Sequence, residues 1–173
     1  RAADEIVDGQ SVNFGFGIPG GIAAILENRG SIGKIWVTVE QGIHNGRLID
    51  GPLFGAAINP EAIMRSTDQF DYYSGGGADI AFLGAGECDA VGNVNVSQLG
   101  GDVVGPGGFV DISQAAKKVV FCGTFETGGM RVAAVNQSLS IEKYGLIPKF
   151  VNQVREVTFA GALAAAIGKP VTY

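Results

Sequence analysis

Glycine-rich loops that join short strands to helices constrain this sequence most strongly. Glycine provides 28 of the 173 residues, well above average usage, without any repeat or Ser/Pro-rich linker. A strand pattern at Ser11–Phe14 is followed by the loop Gly15–Gly21 and by helical apolar spacing over Ile22–Glu27. A second glycine loop, Gly100–Gly108, precedes a predicted helix at Phe109–Ala116. Strands that alternate with helices in this way are typical of an α/β fold.

Other segments extend this pattern. Continuous apolar character predicts strands buried on both faces at Ile80–Gly84 and Lys117–Cys122. We predict a helix end at Ala2–Val7 and a helix over Asn59–Arg65, with Asn59 as its cap. In the last third, short strands of antiparallel character are predicted at Arg131–Val135, Leu139–Ile141, Lys149–Val151 and Glu156–Phe159.

The segment Trp36–Gly42 delivers a carboxylate to the end of a strand. Trp36–Val39 has strand character, Glu40 follows it directly, and Gly42 marks the exit. Open α/β sheets place their sites outside the carboxyl ends of the strands, so Glu40 is a candidate site residue. The plain alternative is that Glu40 only leads the chain into solvent.

The loop Gly15–Gly21 has two interpretations. A strand, a glycine loop and a helix in succession can bind an anion through free amides at the helix start. The spacing lacks both the full dinucleotide fingerprint and the Lys-Ser/Thr pair of a P-loop. The alternative is a tight turn in which glycine is needed for packing.

Bulk composition predicts one folded domain. Hydrophobic residues make up 46% of the chain, the mean hydropathy is +0.25 and the formal net charge is −5. This charge gives no basic footprint for nucleic acid or an anionic membrane. Without a spanning apolar run or a leader, we expect a soluble, cytoplasmic protein. Cys88 and Cys122 have apolar neighbours and are predicted core residues, and the single His44 cannot anchor a metal cluster, so no metal site is expected.

Six blocks of sequence occur in an order found in one enzyme family. They are Asn13–Pro19, Thr38–Gly42, Gly75–Gly84, Gly92–Ser97, Gly105–Phe109 and Lys117–Phe125. In this order, and over nearly the whole chain, they resemble the family I coenzyme A (CoA) transferases. The resemblance is to the β subunit, or to the C-terminal half of fused enzymes such as propionate or acetate CoA-transferase.

The resemblance implies a three-layer αβα domain with a mostly parallel sheet and short antiparallel strands toward the C-terminus. It implies a single β-type domain over residues 1–173, incomplete at the C-terminus, that works in an oligomer with an α-type half or subunit. The chain departs from the family at Glu87, where a neutral pair such as Gln-Val is expected in the segment Gly86–Asp89.

By position, the resemblance makes Glu40 the nucleophile and Asn13 the amide that orients it. The loop that contains Gly107 and Gly108 resembles the oxyanion element of the family, and either glycine is the expected donor.

The same resemblance implies that Gly15, Gly17, Gly105, Gly107 and Gly108 contact CoA. CoA is then a substrate, and no cofactor is expected.

The implied reaction transfers CoA between an acyl-CoA and a short-chain carboxylic acid by a ping-pong route through a glutamyl-CoA thioester at Glu40. Two alternatives stay open. An acyl-CoA hydrolase would use the same glutamate and release the acyl group to water. A non-catalytic phosphate- or CoA-binding domain of the same fold would leave Glu40 idle.

Overall fold

The computed structural model describes residues 1–136 and 138–173, which group into two compact units. Unit 1 comprises Arg1–Gly84, Pro106–Cys122 and Leu163–Tyr173, and unit 2 comprises Ala85–Gly105 and Gly123–Ala162. The single domain over residues 1–173 stays a prediction.

A mixed sheet organises unit 1. Its strands in chain order are β1 (Ser11–Phe14), β2 (Trp36–Val39), β3 (Ile43–His44), β4 (Ala62–Ile63), β5 (Ile80–Gly84), β6 (Lys118–Cys122) and β7 (Val171–Thr172). Across the sheet they follow the order β7-β6-β5-β1-β2-β3-β4. The strands from β7 to β2 are parallel, whereas β3 and β4 pair antiparallel at one edge. The sheet is therefore mostly parallel, as predicted.

Helices cover both faces of this sheet. The α-helices are α1 (Gly20–Asn28), α2 (Ser66–Tyr72), α3 (Phe109–Ala115) and α4 (Gly161–Ala166). On one face, Ile22 and Leu26 of α1 join a buried cluster with Val12 of β1. On the opposite face, the Phe109 ring of α3 stacks on Phe121 of β6 at 5.8 Å. Because side chains alternate along a strand, Val12 and its neighbour Asn13 face different helix layers, which gives the predicted three-layer arrangement.

Shorter elements complete unit 1. They are 3₁₀ helices at Ala2–Glu5, Ile32–Lys34 and Gly51–Leu53, a π-helical turn at Tyr73–Gly77, and an antiparallel pair formed by Arg47–Leu48 and Ala57–Ile58. None of the helices formed by the described residues combines the length and the hydrophobicity needed to cross a bilayer.

Unit 2 consists mainly of short antiparallel pairs, as predicted for the later part of the chain. Glu87–Cys88 pairs with Val94–Asn95, Gln98–Leu99 with Asp102–Val103, Glu126–Thr127 with Ile147–Pro148, and Arg131–Val135 with Ser138–Lys143.

Some local predictions were wrong. The helix over Asn59–Arg65 does not form, because Ala62–Ile63 pairs with β3 and the helix begins only at Ser66. Asn59 has a φ of 52°, in the left-handed region rather than the extended conformation of an N-cap. At the N-terminus, the predicted helix end is a 3₁₀ helix.

The two last predicted strands were also wrong. Phe159 forms only an isolated bridge with Val94, and Phe150 only an isolated bridge with Cys88. Neither segment therefore continues as a ladder.

A tight turn ends β2. The Gly42 N–H donates to the Val39 carbonyl at 3.0 Å, and the Gly42 carbonyl accepts from the Met64 N–H at 2.9 Å. Gly42 has a φ of 96°, and a Cβ at this position would collide with the Met64 carbonyl oxygen. Only glycine satisfies both requirements, so the turn holds Glu40 at the strand end.

We expect Gly42→Ala to lower the free energy of unfolding by about 3 kcal/mol, since left-handed strain and overpacking add. Gly9→Ala is the matched control, because Gly9 has a φ of 88° and open space around its Cβ position. It should cost only about 1 kcal/mol. Equal losses in urea unfolding would contradict the close approach of Met64.

Candidate active site

Glu40 stands immediately beyond β2 with its side chain half-buried. The Ser66 hydroxyl donates to the Glu40 backbone carbonyl at 3.1 Å and ties this position to the start of α2. Burial raises the pKa of the Glu40 carboxyl, because desolvation disfavours the charged form. The ionised side chain is therefore less stabilised than a carboxylate in water.

A row of polar side chains crosses the sheet beside Glu40. Asn13 of β1 pairs with Thr38 of β2, and Thr38 pairs with His44 of β3. All of these side chains are buried. Residues two apart in a strand share a face, so Thr38 points toward the same side as Glu40.

Tyr73, at the end of α2, connects this row. Asn13 Nδ2 donates to the Tyr73 hydroxyl at 2.8 Å, and this hydroxyl donates to Thr38 Oγ1 at 3.1 Å. Thr38 Oγ1 in turn donates to the Val12 carbonyl at 3.2 Å. Burial raises the pKa of Tyr73 to about 12, and the nearby charge of Glu40 acts in the same direction. Tyr73 is thus a neutral phenol whose hydroxyl lies between Asn13 and Thr38.

Asn13 lies on the strand next to Glu40 but is bonded to Tyr73. Its Oδ1 is buried and accepts no hydrogen bond from the described residues. An acceptor without a donor at a buried position leaves room for a further contact. The role of Asn13 in orienting Glu40 stays a prediction.

Gly108 lies directly against Glu40. A Cβ on Gly108 would collide with Glu40 Oε2 and would approach Cζ of Phe70 to 2.6 Å. Gly107 precedes it with a φ of 54°. Within the described part of the chain, neither amide N–H meets an acceptor. Both amides are therefore available to a ligand at this position.

The remaining predicted CoA contacts differ in how their amides are used. The Gly15 N–H donates to the Phe82 carbonyl at 2.8 Å, which favours the packing interpretation of this glycine. Gly17 contributes its carbonyl to the turn before α1, accepting from the Gly20 N–H at 3.0 Å. Gly105 belongs to unit 2, where its N–H donates to the Ser97 carbonyl at 3.1 Å. Contacts of these glycines with CoA stay predictions.

Sequence reasoning did not single out Thr38, Gln69 or Tyr73 as parts of this site. The available signal was weak: Gln69 and Tyr73 are four apart and share one helix face, and Thr38 precedes Glu40 by two. Either spacing is common in ordinary cores, so strand register was needed to identify the cluster.

Glu87, where the chain departs from the family pattern, has a structural environment in unit 2. Its Oε2 accepts from Asn95 Nδ2 at 2.8 Å and from the Arg155 N–H at 2.9 Å, and its Oε1 lies 3.2 Å from Arg155 Nε. The carboxylate therefore links two segments of unit 2.

Comparisons with known proteins show which chains are similar in sequence and fold. No protein-family model matches the chain. The acetate CoA-transferase YdiF of Escherichia coli is 39% identical over 173 residues, which is 100% of this chain and 33% of that protein. Over its whole length, the chain is therefore similar to a segment of this CoA-transferase. The crystal structure of the E. coli O157:H7 YdiF thioester complex with CoA has a TM-score of 0.91 and 37% identity over 99% of this chain and 32% of that one.

Other similar proteins are also named as CoA-transferases. The caffeate CoA-transferase of Acetobacterium woodii is 40% identical over 178 aligned positions, covering 100% of this chain and 34% of that protein. One subunit of a probable succinyl-CoA:3-ketoacid CoA-transferase from Bacillus subtilis is 29% identical over 130 residues, or 69% of this chain and 60% of the relative. This chain spans about a third of the length of YdiF and of the caffeate enzyme.

Gly108→Ala should displace the Glu40 side chain and, in the enzyme proposed below, lower kcat by about 100-fold, because small misplacements of a reacting group are costly. Gly75→Ala is the control, since a Cβ at Gly75 meets no atom within 4 Å. Steady-state kinetics of both variants provide the measurement, and similar kcat values would show that Gly108 does not set the position of Glu40.

Glu40→Gln should raise the melting temperature at pH 7. The pKa of Glu40 is raised above its ordinary value of 4.5. Between the ordinary and the raised pKa, the native state binds more protons than the unfolded state, so stability falls as pH rises through this window. The advantage of the variant should therefore vanish as pH falls below 4.5. Melting temperatures measured by circular dichroism from below pH 4.5 to pH 7 test this prediction. Glu156→Gln, which changes an exposed carboxylate, is the control.

Proposed function

We propose that this chain supplies the catalytic glutamate of a CoA-transferase that exchanges CoA between an acyl-CoA and a short-chain carboxylate. The observation that carries the proposal is the placement of Glu40: a half-buried carboxylate at the carboxyl end of β2, with Gly108 against it. Similarity to the acetate and caffeate CoA-transferases supports this reaction class.

The first half-reaction starts with attack of the Glu40 carboxylate on the thioester carbonyl of an acyl-CoA. Collapse of the tetrahedral intermediate expels CoA thiolate and leaves an acyl-glutamyl anhydride. The thiolate then attacks the Glu40 carbonyl of the anhydride, which releases the donor carboxylate and leaves a glutamyl-CoA thioester. An acceptor carboxylate reverses these steps and regenerates Glu40.

Every addition in this scheme develops an oxyanion. The amides of Gly107 and Gly108 are the proposed donors, because Gly108 lies against Glu40, Gly107 precedes it in the same loop, and neither N–H meets an acceptor among the described residues. Asn13 is proposed to orient the carboxylate by donating an Nδ2–H to it, because Nδ2 has a second N–H beyond the one that it donates to Tyr73. Thiolate and carboxylate are the leaving groups throughout.

We further propose that an α-type half or subunit covers Glu40 in an oligomeric, cytoplasmic enzyme. An anhydride and a thioester at an open carboxylate would be lost to water, so the reaction needs a cover. The B. subtilis relative is named as one subunit of its CoA-transferase, which supports a two-part enzyme. CoA acts as a substrate in this scheme, with Gly15, Gly17 and Gly105 as proposed contacts, and no cofactor takes part.

Trapping the intermediate tests the proposal. With the α-type half supplied and no acceptor acid, acetyl-CoA should convert Glu40 to a thioester that borohydride reduces and hydroxylamine cleaves. Borohydride should therefore inactivate the enzyme only after acetyl-CoA is added, and peptide mapping should place the change within residues 35–47. An acceptor acid added before the borohydride should protect the enzyme.

Variants of Glu40 sharpen this test. Glu40→Gln should abolish labelling, and Glu40→Asp should lower the rate about 100-fold, because its carboxylate is withdrawn by about 1.5 Å. Glu61→Gln, which changes an exposed carboxylate, is the matched control. A hydrolase would discharge the intermediate without an acceptor and label weakly, and a binding domain would not label at all.

Labelling on Cys88 or Cys122 would contradict the assignment. Burial raises the pKa of both thiols and so disfavours their reactive thiolate forms.

A further inference from the structure

The phenyl ring of Phe70 lies beside the carboxylate that the proposed reaction uses. A Cβ built on Gly108 would have both Glu40 Oε2 and Phe70 Cζ within 3.0 Å. The carboxylate oxygen, the glycine and the tip of the ring therefore border the same small space. Phe70 and Glu40 each keep part of their surface exposed, so a ligand can reach this space. Neither the family resemblance nor the reaction scheme assigns Phe70 a role.

Helix α2 fixes the position of this ring. The Ser66 hydroxyl ties the start of α2 to the Glu40 backbone carbonyl at 3.1 Å, and Phe70 lies one turn further along on the same helix face. The Phe70 ring packs edge-on against Tyr73, with centroids 6.2 Å apart and an interplanar angle of 81°. Tyr73 is completely buried. The ring is therefore a fixed boundary of the space beside Glu40.

This boundary restricts which part of an acyl-CoA can lie next to the ring. Attack through Oε2 would join the acyl carbonyl carbon to the oxygen that faces Gly108 and Phe70. The carbonyl oxygen then turns to the proposed amide donors, which leaves the acyl chain and the CoA sulfur. The sulfur carries a long arm that must reach solvent, and helix α2 closes the space behind the ring. The acyl chain therefore occupies the side of Phe70.

Resting on the function proposed above, we propose that Phe70 limits the length of the acyl chain that Glu40 accepts. Acetyl and propionyl groups fit in front of the ring, whereas a longer chain overlaps with it and would have to displace a packed side chain. An acyl group with a charged end is also disfavoured, because the ring offers that charge no partner. Arg65, the cation just before α2, is already bonded through two nitrogens to Asp68.

The limit applies to both half-reactions. Donor and acceptor each pass through an acyl-glutamyl anhydride at Glu40, so their acyl chains occupy the same space in turn. Phe70 should therefore discriminate between acyl-CoA donors and between acceptor acids in the same order. A ring that only supported the fold would affect all chain lengths alike.

Phe70→Ala, with Phe150→Ala as the matched control, tests the proposal in the enzyme supplied with its α-type half. Phe150 also belongs to an aromatic pair, with Phe125 at 5.7 Å in unit 2. The measurement is the ratio of kcat/KM for hexanoyl-CoA to that for acetyl-CoA, in which a general disturbance of Glu40 cancels. Phe70→Ala should raise this ratio at least about 10-fold, the effect of one methylene group in a fitted pocket. Phe150→Ala should keep the wild-type ratio.

The second half-reaction provides an independent measurement. The glutamyl-CoA thioester formed from acetyl-CoA is separated from acetate and then mixed with either acetate or hexanoate. Phe70→Ala should raise the rate of discharge by hexanoate relative to acetate by a similar factor. An unchanged ratio in either half-reaction, or a ratio that falls, would overturn the proposal.

Phe70→Leu and Phe70→Trp keep the proposal testable if the alanine variant does not fold. The ratio for hexanoyl-CoA over acetyl-CoA should decrease from Phe70→Leu through the wild type to Phe70→Trp, because the space beside Glu40 shrinks in that order. Ratios that do not follow side-chain size would contradict the assignment. If the wild type forms no borohydride-sensitive thioester, the proposed function fails. If it forms the thioester and the Phe70 variants keep the wild-type ratio, only the role of Phe70 fails.

Discussion

The turn at the end of β2 sets where Glu40 leaves the sheet. Gly42 closes a turn that only glycine can adopt under the Met64 carbonyl, and Ser66 holds the Glu40 carbonyl from the other side. Glu40 therefore leaves the sheet at a defined point, half-buried and beside Gly108. Its burial keeps the carboxylate poorly solvated, which raises the pKa of Glu40 and costs stability when the group is ionised.

Much of the fold could be predicted from the sequence, for physical reasons. Buried parallel strands are continuously apolar, so β5 and β6 were recognisable, and a strand followed at once by an acid made Glu40 a candidate. The prediction of a helix over Asn59–Arg65 was wrong. A capping signal is local, whereas the pairing of Ile63 with Ile43 is a tertiary contact that overrides it.

The candidate site was less accessible to sequence reasoning. The juxtaposition of Asn13, Thr38 and His44 depends on the register of neighbouring strands, and Tyr73 reaches them from a helix more than 25 residues further along the chain. Likewise, glycine content alone could not show that the Gly105 amide is already bonded to Ser97, whereas those of Gly107 and Gly108 meet no acceptor in the described residues. Backbone hydrogen bonding, which no composition reveals, separates these glycines.

Trp36 is the single tryptophan of the sequence, and its indole N–H is bonded to His44. The intrinsic indole fluorescence of the chain therefore originates at a side chain that is hydrogen-bonded to a buried imidazole. Any event that rotates the imidazole or breaks this bond changes the surroundings of that one fluorophore. The fluorescence of Trp36, which is partly exposed, therefore reports whether the buried His44 keeps its hydrogen bond.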